Sequence, residues 1–291
     1  MIQLFGCPLS MGANDDGLKI SLKYLQENYG LKLKVLDEMI TDEKDLPNLK
    51  HLNSIVKTCD AIAQYSYHEI LQKNDFPLFI GGDHAAAMGT VSAAAVHYGE
   101  IGLIWVDAHT DINTDQTTVT GNIHGMPVAA LLGMGEKSLT GFLNDKPKIK
   151  ASNVVYIGLR DVDPPEAEFL KEFNIKHFAY QDVKDKGLDF CLKECVDYLS
   201  HLKHVHVSFD IDSVNPKLLP GVSVPVKDGF TIEEAYQILS EFINRLPVSS
   251  MDIVEYNTVH DKEDITAKFT IQLIEDMKKL LEKKCELKWT L

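Results

Sequence analysis

A chain of 291 residues, 45% hydrophobic and 25% charged, is ordinary for a globular protein near the upper size of one α/β domain. Its 29 basic against 43 acidic residues leave a charge of −14, which argues against nucleic acid or an anionic membrane as partner and suits a small cationic molecule. Cys7, Cys59, Cys191, Cys195 and Cys285 form no C-x-x-C pair, no run nears the length of about 18 apolar residues that a membrane span needs, and no export signal opens the chain, so a cytoplasmic protein is expected.

In chain order, residues 1–5 predict a strand ending at Gly6-Cys7-Pro8, and Leu18, Leu22 and Leu25 mark a helix over 17–28. A short strand at 32–36 precedes a long amphipathic helix over 53–73, and Phe76–Ile80 is a buried strand. It runs into Gly81-Gly82-Asp83-His84, where paired glycines let the backbone turn tightly and set His84 beyond the strand end, before a small-residue helix over 85–95. Asp83 is a candidate helix cap and His84 a candidate ligand.

The next strand, from Gly102, delivers Asp107, His109 and Asp111 at two-residue spacing. On an extended backbone these share one face, and they converge on one point if the strand continues through them or opens into a loop there. Two carboxylates and an imidazole suit manganese or a similar borderline divalent ion better than a closed thiolate zinc site. Residues 114–125 are polar and without periodicity, as in an active-site loop, and His124 stands there between glycines, free for proton transfer, ahead of a helix over 126–132.

A strand over 153–159 ends in Arg160-Asp161-Val162-Asp163, and from the residues alone Asp163 before Pro164 reads as the cap of a helix over 166–173. A strand at 176–180, a helix over 188–199 and a strand over 204–210 follow. The last repeats the strand-then-acid design with Asp210 and Asp212. Four carboxylates at one place repel unless cations sit among them, so two metals explain the pattern better than one. Thr231 and Glu234 have capping-box spacing ahead of a helix over 232–243. A strand over 248–255 ends in Glu255, which by itself reads as a strand-end acid in solvent, and a helix over 265–284 closes the chain after a charged stretch, 260–264, read as a solvated loop. No repeat or Pro/Ser-rich linker appears, so 1–291 is expected to be one domain, α/β in class, with a mainly parallel sheet between two helical layers.

Six segments, at 81–84, 107–113, 120–125, 158–164, 208–212 and 251–257, together resemble the manganese ureohydrolases, and within them the arginases most closely. The resemblance implies the arginase-like three-layer fold and two Mn²⁺ per chain, one held by His84, Asp107, Asp111 and Asp210, the other by Asp107, His109, Asp210 and Asp212. It implies that a metal-bridging hydroxide hydrolyses the guanidinium of L-arginine to L-ornithine and urea. Glu255 would hold the guanidinium, with Asp111 and His124 managing protons. It further implies that Asn113 and Thr120 contact the substrate α-carboxylate, that Asp163 and Glu166 surround the α-amino group, and that the chain forms a homo-oligomer, by analogy a trimer or hexamer.

The sequence departs from the family at Ser213-Val214-Asn215, at Gly17-Leu18 and at Ser223-Val224-Pro225. Val224 removes a hydroxyl close to the expected guanidinium position, so agmatine or another guanidino compound stands as the alternative substrate. A metallophosphatase would want basic residues around the phosphate whereas this chain is strongly acidic, a zinc deacetylase needs one metal only, and a non-catalytic metal-binding protein on the same fold is disfavoured because every ligand position is filled.

Overall fold

Continuous apolar runs such as Phe76–Ile80 and Gly102–Val106 become strands buried on both faces, which in a parallel sheet requires helices above and below. The computed structural model describes residues 1–41 and 46–289, with side chains described as far as Lys284, so the reading of Cys285 falls outside them. Strands β1 (Ile2–Gly6), β2 (Lys34–Val35), β3 (Phe76–Ile80), β4 (Gly102–Val106), β5 (Val154–Leu159), β6 (Lys176–Ala179), β7 (Val205–Asp210) and β8 (Val248–Val254) form one sheet in the order β2-β1-β3-β8-β7-β4-β5-β6. Every pairing is parallel.

The helices are α1 (Asp16–Tyr29), α2 (Leu52–Tyr65), α3 (Ala87–Tyr98), α4 (Pro127–Leu131), α5 (Lys137–Thr140), α6 (Pro164–Glu172), α7 (Tyr180–Lys186), α8 (Leu188–Leu199), α9 (Ile232–Arg245) and α10 (Ile265–Trp289). Alternation along the strands divides them into two layers. Ile104, Val106 and Val207 face Leu22, Cys195, Leu239 and Leu273 from α1, α8, α9 and α10. Leu103 and Trp105 face the other way, towards Val91 of α3 and Val128 of α4, while Phe5 and Phe79 meet Ile55 and Ile62 of α2. The α/β class and the parallel sheet between helical layers are as the sequence indicates.

The differences are local. The expected strand at 32–36 shrinks to two residues because β2 is an edge with a single neighbour. The helix expected over 53–73 is α-helical only to Tyr65 and then widens into a π turn at Ser66–Ile70 and tightens into a 3-10 turn at Leu71–Lys73. Helix α7 was silent in the sequence because Val183 is its only buried side chain, too little for a periodicity. The charged stretch before α10 does more than face solvent: the Asp261 carboxylate accepts from Thr266 N (3.0 Å) and Ala267 N (2.8 Å), and Asp264 accepts from Tyr24 Oη (2.8 Å).

This topology puts the C-terminal ends of β3, β8, β7 and β4 side by side at the centre of the sheet. Open α/β sheets form their ligand crevices at such an edge.

Candidate metal centre and cleft

Each central strand ends by presenting an acid or an imidazole to the same crevice. After β3, Gly81 and Gly82 take φ of 86° and 76°, a left-handed turn that a side chain would resist, and bring His84 into a 3-10 turn. Asp83 does cap that turn, accepting from Ala85 N (3.0 Å), yet His84 is no bystander. Its Nδ1 lies 3.0 Å from Asp107 Oδ2, 3.1 Å from Asp111 Oδ2 and 3.2 Å from Asp210 Oδ2. On the other side of Asp107, His109 Nδ1 lies 3.4 Å from Oδ1 and 3.0 Å from Asp212 Oδ2. Two groups, one of His84, Asp107 and Asp111 and one of Asp107, His109 and Asp212, therefore share Asp107 through its two different oxygens.

The convergence is achieved by loop geometry rather than by a continued strand. Strand β4 stops at Val106, and Asp111 is turned inward by a left-handed backbone, φ 49°. Glu255, just past β8, is held likewise at φ 66°. Such conformations cost non-glycine residues on the order of 1 kcal/mol or more and persist where surroundings enforce them. Here Val128 N donates to Asp111 O and Glu255 N donates to Gly82 O, both at 2.9 Å.

The residues fit divalent metal. His84 Nδ1 and Asp107 Oδ2 are fully buried yet engage in no hydrogen bond, although carboxylate oxygens and an imidazole stand a little over 3 Å apart. Ligand atoms about 2.1 Å from a common ion and at right angles lie about 3 Å from each other, so this spacing matches donors aimed at one cation. The far nitrogen of His84 is fixed by Ser208 Oγ at 2.8 Å, and its ring stacks on Trp105 at 3.9 Å and 8°. Without a cation the charges are strained. Burial and the neighbouring acids push Asp210 and Asp212 up, and burial with Asp107 pushes Asp111 up to about 6. Burial works against the charged forms of His84 and His109, but the surrounding carboxylates outweigh it and raise both. Burial works against the charged form of Asp107 too, but the adjacent His109 and His84 imidazoles outweigh it and lower this carboxyl.

Around this floor lies a cleft of about 150 Å³ with Glu255, His124, Asn113, Thr120, Asp163 and Glu166 in its lining. His124 Nδ1 is 3.0 Å from Glu255 Oε1, which also accepts from His84 N at 2.9 Å, and despite burial that carboxylate pushes the imidazole up to about 9. Farther out, Asn113 Nδ2 donates to Asp163 Oδ2 at 3.1 Å. Thr120 is exposed, its Oγ1 accepting from Asn122 N at 3.1 Å. Glu166 is buried with both oxygens engaged, by Asp163 N (2.9 Å) and Ile112 N (3.3 Å), so it ties the start of α6 to the metal-bearing loop. The candidate ligand, acid–base and substrate-contact residues thus lie at this floor or along this cleft.

Three residues nearby have roles here that the sequence did not indicate. Asp161 lines the cleft with Oδ2 3.9 Å from His109 Nε2; the same strand-then-acid design after β5 was the signal that could have found it. Arg160 donates to the carbonyls of Asp212 and Ser213, and so props the turn that carries Asp212. Asp83 accepts from Gly12 N (2.8 Å) and Ala13 N (3.1 Å), a role that no local pattern announces.

Comparison with known proteins agrees with this geometry. Residues 2–278 match the model of the arginase family. The chain is 34% identical to an arginase of Bacillus subtilis (strain 168), over 96% of this chain and 99% of that one. The solved structure of arginase from that strain superposes with a TM-score of 0.86, covering 95% of this chain and 97% of that one, at 34% identity. An Entamoeba histolytica arginase solved in complex with L-ornithine gives a TM-score of 0.85 at 26% identity, covering 95% and 97%. The chain belongs to the arginase family.

Proposed function

We propose that the protein hydrolyses L-arginine to L-ornithine and urea, with two Mn²⁺ per chain, one held by His84, Asp107, Asp111 and Asp210 and one by Asp107, His109, Asp210 and Asp212. When bound, the cations supply the charge that makes water a nucleophile at neutral pH. The chain's own residues do the rest. Glu255 pairs with the substrate guanidinium, and Oε1, which already orients His124, puts that imidazole beside the same group. Asp111 takes the proton released at the metal floor, and His124 carries protons between the crevice and solvent, for which its 18% exposed side chain is suited.

At the outer end Asn113 and Thr120 receive the α-carboxylate, and Asp163, with Glu166 behind it, receives the α-ammonium. The observation that carries the reading is the pair of His/Asp groups joined through Asp107 beneath the Glu255–His124 pair, a floor for cations and a wall for a cation-shaped substrate. We read residues 1–291 as one such domain, working in the cytoplasm as a homo-oligomer. Among the described residues no helix is long and apolar enough to cross a membrane.

Val224 gives the second reading its footing. It is an apolar side chain, 39% exposed, in a lining otherwise almost wholly polar or charged, and a sister substrate such as agmatine stands as the alternative. Urea release from arginine, with and without added Mn²⁺, tests the first reading: manganese-dependent urea supports it, and a protein that releases none with metal bound would refute it.

A further inference from the structure

The loop between β1 and α1 makes an unusual set of bonds. Four consecutive backbone N–H groups turn to two carboxylates: Ser10 N (2.8 Å) and Met11 N (3.2 Å) donate to Glu38 Oε1, and Gly12 N (2.8 Å) and Ala13 N (3.1 Å) donate to Asp83 Oδ2. The Ser10 hydroxyl adds contacts to Glu38 at 3.1 and 3.3 Å. The carbonyls point the opposite way, at the proton-handling loop. Gly12 O accepts from His124 N at 3.2 Å, and Ala13 O accepts from Asn122 Nδ2 at 3.1 Å.

Only glycine fits at the centre of this grip, because a Cβ on Gly12 would stand 2.4 Å from Asp83 Oδ1 and 2.9 Å from Ala85 Cβ. Asp83 itself is fully buried and precedes His84. The backbone of His124, in the 3-10 turn Ile123–Gly125, is therefore referenced, through Gly12 and Asp83, to the same turn that sets His84.

We propose that Ser10–Ala13 is a positioning device for His124, with Glu38 and Asp83 as positioning residues that act through it; this rests on the proton-transfer role assigned to His124 above. An imidazole 3.0 Å from Glu255 and beside a guanidinium works only in a narrow range of placements, and the neighbouring loop supplies that placement from outside the cleft. Glu38 is the informative handle, since its hydrogen bonds go to Ser10 and Met11 and it is not among the described residues that line the cleft.

The experiment is a double-mutant cycle of Glu38→Ala with His124→Ala on manganese-loaded protein, reading kcat and KM for urea release, metal content, and amide hydrogen exchange at 122–124. Alone, Glu38→Ala should lower kcat about tenfold or more with KM and metal content unchanged, and Glu38→Gln, which keeps an acceptor at Oε1, should restore most of the rate. In the His124→Ala background Glu38→Ala should cost nothing further, and exchange at 122–124 should quicken. The same loss with and without His124, or unchanged exchange, would overturn the proposal. If wild-type protein released no urea, the functional reading would fail while the exchange arm still judged the loop. Should Glu38→Ala not fold, Ser10→Ala, which removes only the hydroxyl contacts, serves in the same cycle.

Discussion

The floor of the crevice and its rim are built on opposite plans. At the floor, His84 and Asp107 are fully buried, and His84 Nδ1 faces carboxylate oxygens with no hydrogen bond between them. At the rim, Asp161 is 65% exposed and polar groups satisfy one another, Asn113 bonding both Asp163 and Thr117. A floor of unspent donors is completed by a cation, whereas a rim of mutual bonds yields them one at a time to an incoming ligand. On the proposed reading, the difference teaches that chemistry is fixed at the strand ends and that specificity is held on loops that substitution can retune.

Damage at the floor should be the most severe. Asp210→Asn should empty more metal than His84→Asn, because Asp210 is assigned to both ions and His84 to one; elemental analysis after dialysis checks this, and equal retention would contradict the shared ligand. One step out, His124→Ala should keep its metal and lose about 10²-fold or more in kcat, the usual scale for lost acid–base help. If that variant also lost metal, His124 would belong to the floor.

Metal removal compares floor with whole fold. Mn²⁺ held at about a hundred times its Kd should stabilise the protein by about 2.7 kcal/mol for each independently bound ion, read as a rise in Tm that chelation reverses. A Tm indifferent to manganese would mean that the floor is not a cation site.

The smallest effect concerns Glu166, between floor and rim. Burial pushes this carboxyl up to about 7 against the pull of Asp163 N–H. An acid whose folded pKa lies above its unfolded value of about 4.3 binds more protons when folded, so it costs stability as pH rises from about 4 to about 7 and no more beyond. In metal-free protein, the stability of wild type relative to Glu166→Gln should therefore decline over that interval by on the order of 3 kcal/mol, seen in denaturant midpoints; a flat difference would show that Glu166 titrates in the folded protein as it does in the unfolded chain.

The floor was far more legible than its supports. Asp107, His109 and Asp111 announce themselves because two-residue spacing after an apolar run is a local pattern, and Asp210 with Asp212 repeats it. The reason they converge was not local: Asp111 reaches inward through a left-handed backbone stabilised by a bond to Val128 N, a contact across the loop that no spacing encodes. Asp83 read as a helix cap and proved also to hold Gly12 and Ala13, 70 residues or more away. Apolar runs such as 76–80 and 102–106 revealed the central strands of the parallel sheet, while α7, with one buried side chain, left no trace.

Whether the rim decides the substrate while the floor handles any guanidine is read most directly from kcat/KM for arginine and agmatine in wild type and Asp163→Ala. The account predicts that wild type strongly prefers arginine and that the substitution weakens arginine turnover by about 2–4 kcal/mol in transition-state binding, leaving metal content and the low agmatine rate nearly unchanged. Equal use of both substrates by wild type, or an equal fall for both in Asp163→Ala, would contradict it.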